Sequence, residues 1–338
     1  MILNSVWFLI IAFLFIGYFI LEGFDFGVGI LLPFVTKDDT ERRMIINTIG
    51  PHWDGNEVWL ITAGGALFAA FPHWYATLFS GFYIALFLLL AALILRGVAF
   101  EFRSKDENRK WRTFWDWMIF IGSFVPALLW GVALTNFIGG VPVGESFQFV
   151  GNFWDLINIY TIIGGLVSLT GFLLQGAIFL TLKLEKPIAT RMNKIARKIW
   201  IPNIIVIILF VIQTYFFTDI LDQIGVNPGV IPIAAILSLF SVGWLLNQNL
   251  NGWAFFMNSL TILFSTSTIF KILYPRVLVS NISPDFNLTI FNSSSSPYTL
   301  KVMSIIALIF VPIVIGYQIW TYWVFRQRVT RDKNSLHY

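Results

Sequence analysis

The chain has 338 residues, of which 57% are hydrophobic and only 12% are charged. Ordinary globular domains carry about twice that charged fraction, so the composition indicates a polytopic membrane protein. The net charge is +4, but the basic residues lie in loops between apolar runs, so we expect no nucleic-acid partner. The chain contains no cysteine, which excludes disulfides, thiolate metal sites and iron–sulfur clusters.

Nine apolar runs are long enough to cross a bilayer, which takes roughly 20 residues. The first run is preceded by no charged residue and is too long for the apolar core of a signal peptide, so we interpret it as a transmembrane helix. The sequence therefore predicts an all-α polytopic membrane protein with a single transmembrane domain of nine helices in bundles. The predicted spans are about 5–34, 54–72, 75–100, 115–138, 156–182, 200–217, 229–247, 253–272 and 301–325.

The basic residues predict the orientation of these spans. Most of the 22 lysines and arginines lie in the loops after the first, third and fifth spans and in the C-terminal tail. The loops after the second, fourth and sixth spans contain none. Because cytoplasmic loops are enriched in lysine and arginine, we expect the N-terminus outside and the C-terminus in the cytoplasm.

A short amphipathic helix is predicted at 38–49, between the first two spans. Asp38 and Glu41 have the spacing of a capping box at a helix start. Three isoleucines follow on one side, and Gly50 with Pro51 ends the pattern. We expect this helix to lie on the cytoplasmic surface.

Ionisable residues within the predicted spans are concentrated in the first three. Asp25 lies nine residues before the end of the first span, about 13 Å deep at 1.5 Å per residue. No capping position is near it, which favours a functional role. Acids graded from the inner mouth to the membrane interior suit a proton inlet. The set comprises Glu22, Asp25, Asp54, Glu57, Arg96 and Glu101.

Structural roles would also explain several of these residues. Asp54 and Glu57 have the spacing of an N-cap and N3 pair at the start of the second span. Arg96 and Glu101 could form an ion pair at a helix end, with the arginine reaching towards the interface. Glu22 could pair with Arg96 or with a partner chain. The sequence leaves these alternatives open.

The three histidines do not fit haem ligation. A haem ligand normally projects from a helix into the core of a bundle. His52 lies in a predicted cytoplasmic loop, His73 lies at an outer turn, and His337 is one residue from the C-terminus. We therefore expect this chain to ligate no haem and no metal.

The stretch from Asn47 to Leu60 reads NTIGPHWDGNEVWL. This stretch, together with several other segments, closely resembles subunit II of cytochrome bd quinol oxidases, and it is the most specific of them. The likeness extends over the whole chain. The other segments that carry it are 22–29, 39–43, 63–72, 96–103, 115–117 and 311–320.

The resemblance implies a heterodimer in the bacterial plasma membrane, as part of a respiratory chain. In that family, subunit I carries two b-type haems and a d-type haem, quinol is oxidised near the outer face, and oxygen is reduced to water. Protons are drawn from the cytoplasm, which generates a proton gradient. Membrane lipids surround such a complex. A small accessory subunit, the choice between ubiquinol and menaquinol, and the haem type at the third site stay open.

The resemblance also bears on the site residues. Acids at the positions of Asp54 and Glu101, with Trp53 beside the first, line a cytoplasmic proton path in relatives. The Asp25 position is also acidic, and relatives can carry aspartate at the positions of Glu22 and Glu101. The loop after the sixth span, about 218–228, is shorter here than in some relatives.

Two other functions were weighed against the oxidase. The acids of the first span would also suit a proton-coupled secondary transporter, but no pair of broken helices occurs in matching halves of the chain. A purely structural scaffold for subunit I, without proton conduction, is the third alternative.

Overall fold

The computed structural model describes residues 2–220, 229–332 and 336. Within these residues the chain is almost entirely helical. Part of the predicted loop 218–228, together with Lys333 and His337, lies outside the described residues. The helices are α1 (Ile2–Val35), α2 (Asp39–Ile49), α3 (Trp53–Ala70), α4 (Pro72–Gly81), α5 (Tyr83–Phe102), α6 (Arg109–Gly139), α7 (Ile159–Lys183), α8 (Lys186–Phe217), α9 (Val230–Asn247), α10 (Asn251–Leu273) and α11 (Pro297–Val324).

Ion pairs join the basic loops at one end of the bundle. Arg103, after α5, contacts Asp39 of α2 at 2.8 Å, and Arg191 of α8 contacts Glu41 of α2 at 2.5 Å. Arg331 in the C-terminal tail contacts Glu41 at 3.0 Å. We call this end, with α2, the starts of α6 and α8 and the tail, the basic end.

The remaining loops meet at the opposite end. A two-stranded antiparallel sheet, β1 (Arg276–Leu278) and β2 (Leu288–Thr289), lies in the loop before α11. The side-chain amide of Asn4 donates to the carbonyl of Ile290 at 2.9 Å. Helices that alternate between these two ends form the bundle.

Eight described helices are long and apolar enough to cross a membrane. The predicted second span, α3, is not among them. It is 18 residues long, and Asp54, Asn56 and Glu57 occupy its first turns. It nevertheless runs between the two ends, since it starts at the basic end and the backbone N–H of Ser295 donates to the carbonyl of Ala70 at 2.9 Å.

Two predicted boundaries differ from the structure. The predicted span 75–100 is two helices, α4 and α5, which meet at Phe82. There Phe149 packs so closely against Gly81 that an added Cβ would lie 2.7 Å from its ring. The predicted span 200–217 is the second half of α8, which starts at Lys186. Its first turns bury Ile188, Ala189 and Met192, a tertiary contact that periodicity within a basic loop did not reveal.

The predicted short helix is α2, but its environment differs from the expectation. Asp38 accepts a hydrogen bond from the N–H of Glu41 at 2.8 Å, as a capping residue does. Glu41 accepts from the N–H of Lys37 at 3.0 Å, so the second half of the predicted capping box was wrong. Met44 and Ile45 are fully buried in the bundle core. The helix is therefore packed into the protein, and does not merely lie on its surface.

Helix α1 occupies the centre of the bundle. At its crossing with α7, Gly27 approaches so closely that an added Cβ would lie 2.0 Å from the carbonyl oxygen of Phe172. Gly176 of α7 lies at the same contact, and small residues of this kind let membrane helices pack closely. Because α1 is enclosed in this way, Glu22 and Asp25 are completely buried.

Candidate functional site

A buried guanidinium joins two helices to α1 at the centre of the bundle. Arg96 of α5 has no exposed surface and forms ion pairs with Glu22 of α1 and Glu57 of α3, the latter at 2.5 Å. Its guanidinium carbon also lies 4.7 Å from the ring centroid of Phe26. The predicted pairing of Glu22 with Arg96 is confirmed, whereas the alternative pairing of Arg96 with Glu101 is wrong.

Asp25 is held by an amide that the sequence analysis did not single out. The side-chain N–H of Asn56, on α3, donates to Asp25 at 2.7 Å. The side-chain oxygen of Asn56 accepts from the amide of Gln318 at 2.9 Å and from the hydroxyl of Tyr322 at 2.8 Å. The only sequence signal for Gln318 was a polar residue within an otherwise apolar span.

Glu22, Asp25, Glu57 and Arg96 together form what we call the acid cluster. Glu22 and Glu57 pair with the guanidinium and Asp25 does not. With three carboxyl groups and one guanidinium, the cluster would carry a net charge of −2 if every group were ionised. Glu22 Oε2 and Asp25 Oδ1 are buried and have no hydrogen-bond partner among the described residues. Since unpaired buried charge is costly, such a cluster is chemically suited to take up and release protons.

The predicted entrance residues lie nearer the basic end. Asp54 and Glu101 are both exposed, one on α3 and the other on α5. Among the described residues, neither forms an ion pair or a hydrogen bond with the acid cluster. Trp53 packs against α5, with its ring centroid 5.3 Å from that of Phe100. Of the residues predicted for the proton path, the structure thus brings Glu22, Asp25 and Glu57 together and leaves Trp53, Asp54 and Glu101 nearer the basic end.

The capping interpretation of the α3 acids does not hold. The N-cap of α3 is His52, and no side-chain hydrogen bond caps this helix start. Asp54 therefore does not cap the helix. Glu57 contacts Arg96 of α5, so its role is tertiary.

A second ionic network at the basic end was also missed. Asp116 of α6 is 2% exposed and accepts from Arg103 at 2.6 Å and from Arg42 at 2.9 Å. Partial burial alone would raise the pKa of Asp39, but the hydrogen bond from Arg103 and the charges of Arg103 and Arg112 lower it below its usual value. This network fixes α2 to α5 and α6.

The two histidines in the described part of the chain, His52 and His73, lie apart from one another. His52 is buried at the basic end, and His73 is exposed at the start of α4, near the opposite end. Within the described part of the chain, no group of three or more histidine, cysteine or acidic side chains could hold a metal ion.

This bundle, with its acids enclosed at the centre, defines a multi-pass α-helical membrane protein. The family described as "Cytochrome bd terminal oxidase subunit II" matches residues 3–325. The chain belongs to this family. Membership decides against the proton-coupled secondary transporter and supports a bacterial membrane location.

Individual relatives match over nearly their whole length. Cytochrome bd ubiquinol oxidase subunit 2 of Bacillus subtilis strain 168 is 41% identical over 331 residues, covering 98% of each chain. Cytochrome bd-I ubiquinol oxidase subunit 2 of Escherichia coli K12 is 37% identical over 367 residues, covering 98% of this chain and 96% of the relative.

A solved structure shares the fold. The bd oxidase from Geobacillus thermodenitrificans superposes with a TM-score of 0.79, and the match covers 96% of this chain and 99% of that one. The sequence identity is 18%, so this comparison concerns the fold alone.

Proposed function

We propose that the chain is subunit II of a bd-type terminal oxidase that oxidises quinol, reduces oxygen to water and generates a proton gradient. The family match over almost the whole chain carries this proposal. Two relatives of similar length are ubiquinol oxidase subunits. The reaction centre belongs to a haem-bearing subunit I, which this chain stabilises as a heterodimer.

In this proposal the chain forms one transmembrane domain with nine spans. These are the eight long apolar helices and α3, the second span in chain order. Helix α3 is less apolar than the others because its first turns carry the residues of the site. The basic end faces the cytoplasm, as the enrichment of lysine and arginine in its loops favours. The N-terminus is outside and the C-terminus is inside.

The b-type and d-type haems are assigned to subunit I. His52 does not fit a haem, because its ring is already stacked on Tyr322 at a centroid distance of 4.3 Å. His73 lies at the opposite end of the molecule. This chain therefore ligates no haem with these side chains, and its contribution to the reaction is through protons and assembly.

The proton path begins at Asp54 and Glu101 and leads to the acid cluster. Trp53, one turn before Glu57, lines the space between them. The cluster supports this role because its acids exceed its bases in number and two of them, Glu22 and Asp25, are fully buried. Asp25 is ten residues from the end of α1, about 15 Å from the surface at 1.5 Å per residue. Protons would pass from the cluster to the partner subunit.

Exposed apolar helices offer the surface for subunit I. The most apolar part of α11 contains no fully buried residue within this chain, and half of the residues of α5 are exposed. On the neighbouring α3, an added Cβ at Gly64 or Gly65 would meet nothing within 4 Å. Small residues on an unoccupied helix face permit close approach of another membrane helix. Lipids, and a small accessory subunit where present, would cover the other apolar faces.

The inlet is tested with amide variants in the purified complex. Asp54→Asn, Glu101→Gln and Asp25→Asn keep side-chain shape but cannot carry a proton. We expect full haem content and assembly, with oxygen consumption slower by about tenfold or more, the size of a general acid–base effect. Glu145→Gln, at an exposed acid between α6 and α7, is the matched control. Wild-type turnover and proton uptake in all three variants would place the inlet in the partner.

A further inference from the structure

His52 is a buried aromatic residue that the proton path does not use. Its side chain is 2% exposed, although it lies in the turn that joins α2 to α3. The imidazole stacks on the ring of Tyr322 at 4.3 Å, with an angle of 4° between the planes. The ring of Phe325 meets it edge-on at 5.9 Å. The imidazole is thus enclosed by the end of α11 and the residue that follows it.

The imidazole of His52 is an uncharged, planar ring. Neither ring nitrogen has a hydrogen-bond partner among the described residues. Burial, and the nearby positive charge of Lys183, lower the pKa of His52 to about 4. A neutral ring without polar partners contributes through packing.

The Tyr322 ring on which His52 stacks carries a hydroxyl that donates a hydrogen bond to Asn56. Gln318 and Tyr322 are four residues apart on α11 and therefore lie on the same helix face. Both donate to the side-chain oxygen of Asn56, at 2.9 Å and 2.8 Å. With its oxygen engaged in this way, the amide of Asn56 turns its nitrogen to α1, where it donates to Asp25 at 2.7 Å and to the carbonyl of Leu21 at 3.4 Å.

We propose that His52 is a positioning residue: by stacking on Tyr322 it fixes the hydroxyl that orients Asn56, and thereby sets the hydrogen bond to Asp25. This inference rests on the proposed role of Asp25 in proton uptake. Within this chain, the most apolar segment of α11 contains no buried residue. The stack of His52 on Tyr322 is therefore one of the few contacts by which this chain itself holds the end of α11 at the site.

Two substitutions separate the ring from its nitrogens. His52→Phe keeps a flat ring and removes the nitrogens, whereas His52→Ala removes the ring. In the complete oxidase complex, we expect His52→Ala to slow oxygen consumption by about threefold to tenfold, the effect of one weakened hydrogen bond. We expect His52→Phe to retain most of the turnover and the wild-type pH profile. Its unfolding midpoint should rise, because buried nitrogens without partners are removed.

Infrared difference spectroscopy measures the carboxyl band of Asp25 directly. The carboxyl band that disappears in Asp25→Asn should shift in His52→Ala and in Tyr322→Phe, and stay in place in His52→Phe. In the Tyr322→Phe background, His52→Ala should cause no additional shift, because the hydroxyl it supports is already gone.

Three results would overturn the assignment. Equal damage from His52→Phe and His52→Ala, with a displaced pH profile, would make the imidazole a proton carrier. A wild-type Asp25 band in His52→Ala would show that the stack positions nothing. An equal shift of the Asp25 band by His52→Ala with and without the Tyr322 hydroxyl would do the same, and this measurement does not depend on turnover. Normal turnover in Asp25→Asn would instead refute the proposed inlet, and the infrared band would still decide whether the stack positions Asn56.

Discussion

Replacing Arg96 by methionine should be among the most destabilising single changes in this chain. The guanidinium is fully buried and pairs with Glu22, which is also fully buried, and with Glu57, which is 20% exposed. Without Arg96, Glu57 can still reach water, but Glu22 has no other cation within the described residues. Removing one partner of a buried ion pair costs about 3–5 kcal/mol, and we expect a loss of unfolding free energy in this range.

Removing the whole pair should be far less harmful than removing half of it. In the double variant Glu22→Leu with Arg96→Met, no charge of this pair remains buried. Apolar residues of similar volume often replace a buried ion pair at no loss of stability, so the double variant should lie within about 1–2 kcal/mol of the wild type. Glu22→Leu alone leaves Arg96 with Glu57 at 2.5 Å and should be intermediate.

These four proteins form a double-mutant cycle that isolates the pairing energy. The assay is unfolding of the purified complex in denaturing detergent, followed by tryptophan fluorescence, with heterodimer yield measured in parallel. If Arg96→Met unfolds within about 1 kcal/mol of the wild type, Glu22 does not depend on this guanidinium. Strictly additive effects in the double variant would refute the reasoning as well.

Three further predictions follow from the geometry. Gly64→Leu or Gly65→Leu should lower the yield of heterodimer, because a bulky side chain would occupy the surface proposed for subunit I. Gly252→Leu is the control, since an added Cβ at Gly252 also meets nothing within 4 Å in this chain. Equal yields from all three variants would place the interface elsewhere. Asp54→Ala should change unfolding free energy by less than about 1 kcal/mol, since Asp54 does not cap α3; a larger loss in denaturation would contradict this. The pKa of His52 falls from its usual 6.5 to about 4 on folding, so the unfolded chain binds more protons between these values. Stability should therefore decrease as pH is lowered through this window, by up to about 3 kcal/mol, and His52→Phe should lack this component in melts recorded across the window.

The sequence by itself determined the class of the protein and the depth of its acids. The length of each apolar run is set by bilayer thickness, which is a property of the solvent and can be counted along the chain. Asp25 could be placed deep in a span for the same reason. The segment from Asn47 to Leu60 carried most of the resemblance to the family, because its residue types are unusual at the start of a membrane helix.

Which side chains meet was decided only by the tertiary structure. The position of a residue along an apolar run gives its depth, and helical periodicity gives the residues that share its face, but neither tells which neighbouring helix that face meets. Gln318 reaches Asn56 across 262 positions of the sequence, and no local pattern marks that contact. Arg96 pairs with Glu22 and Glu57 and not with Glu101, because α5 turns the face that carries Arg96 towards α1 and α3. The close packing of small residues around α1 encloses the acids and so determines which of them pair with the Arg96 guanidinium.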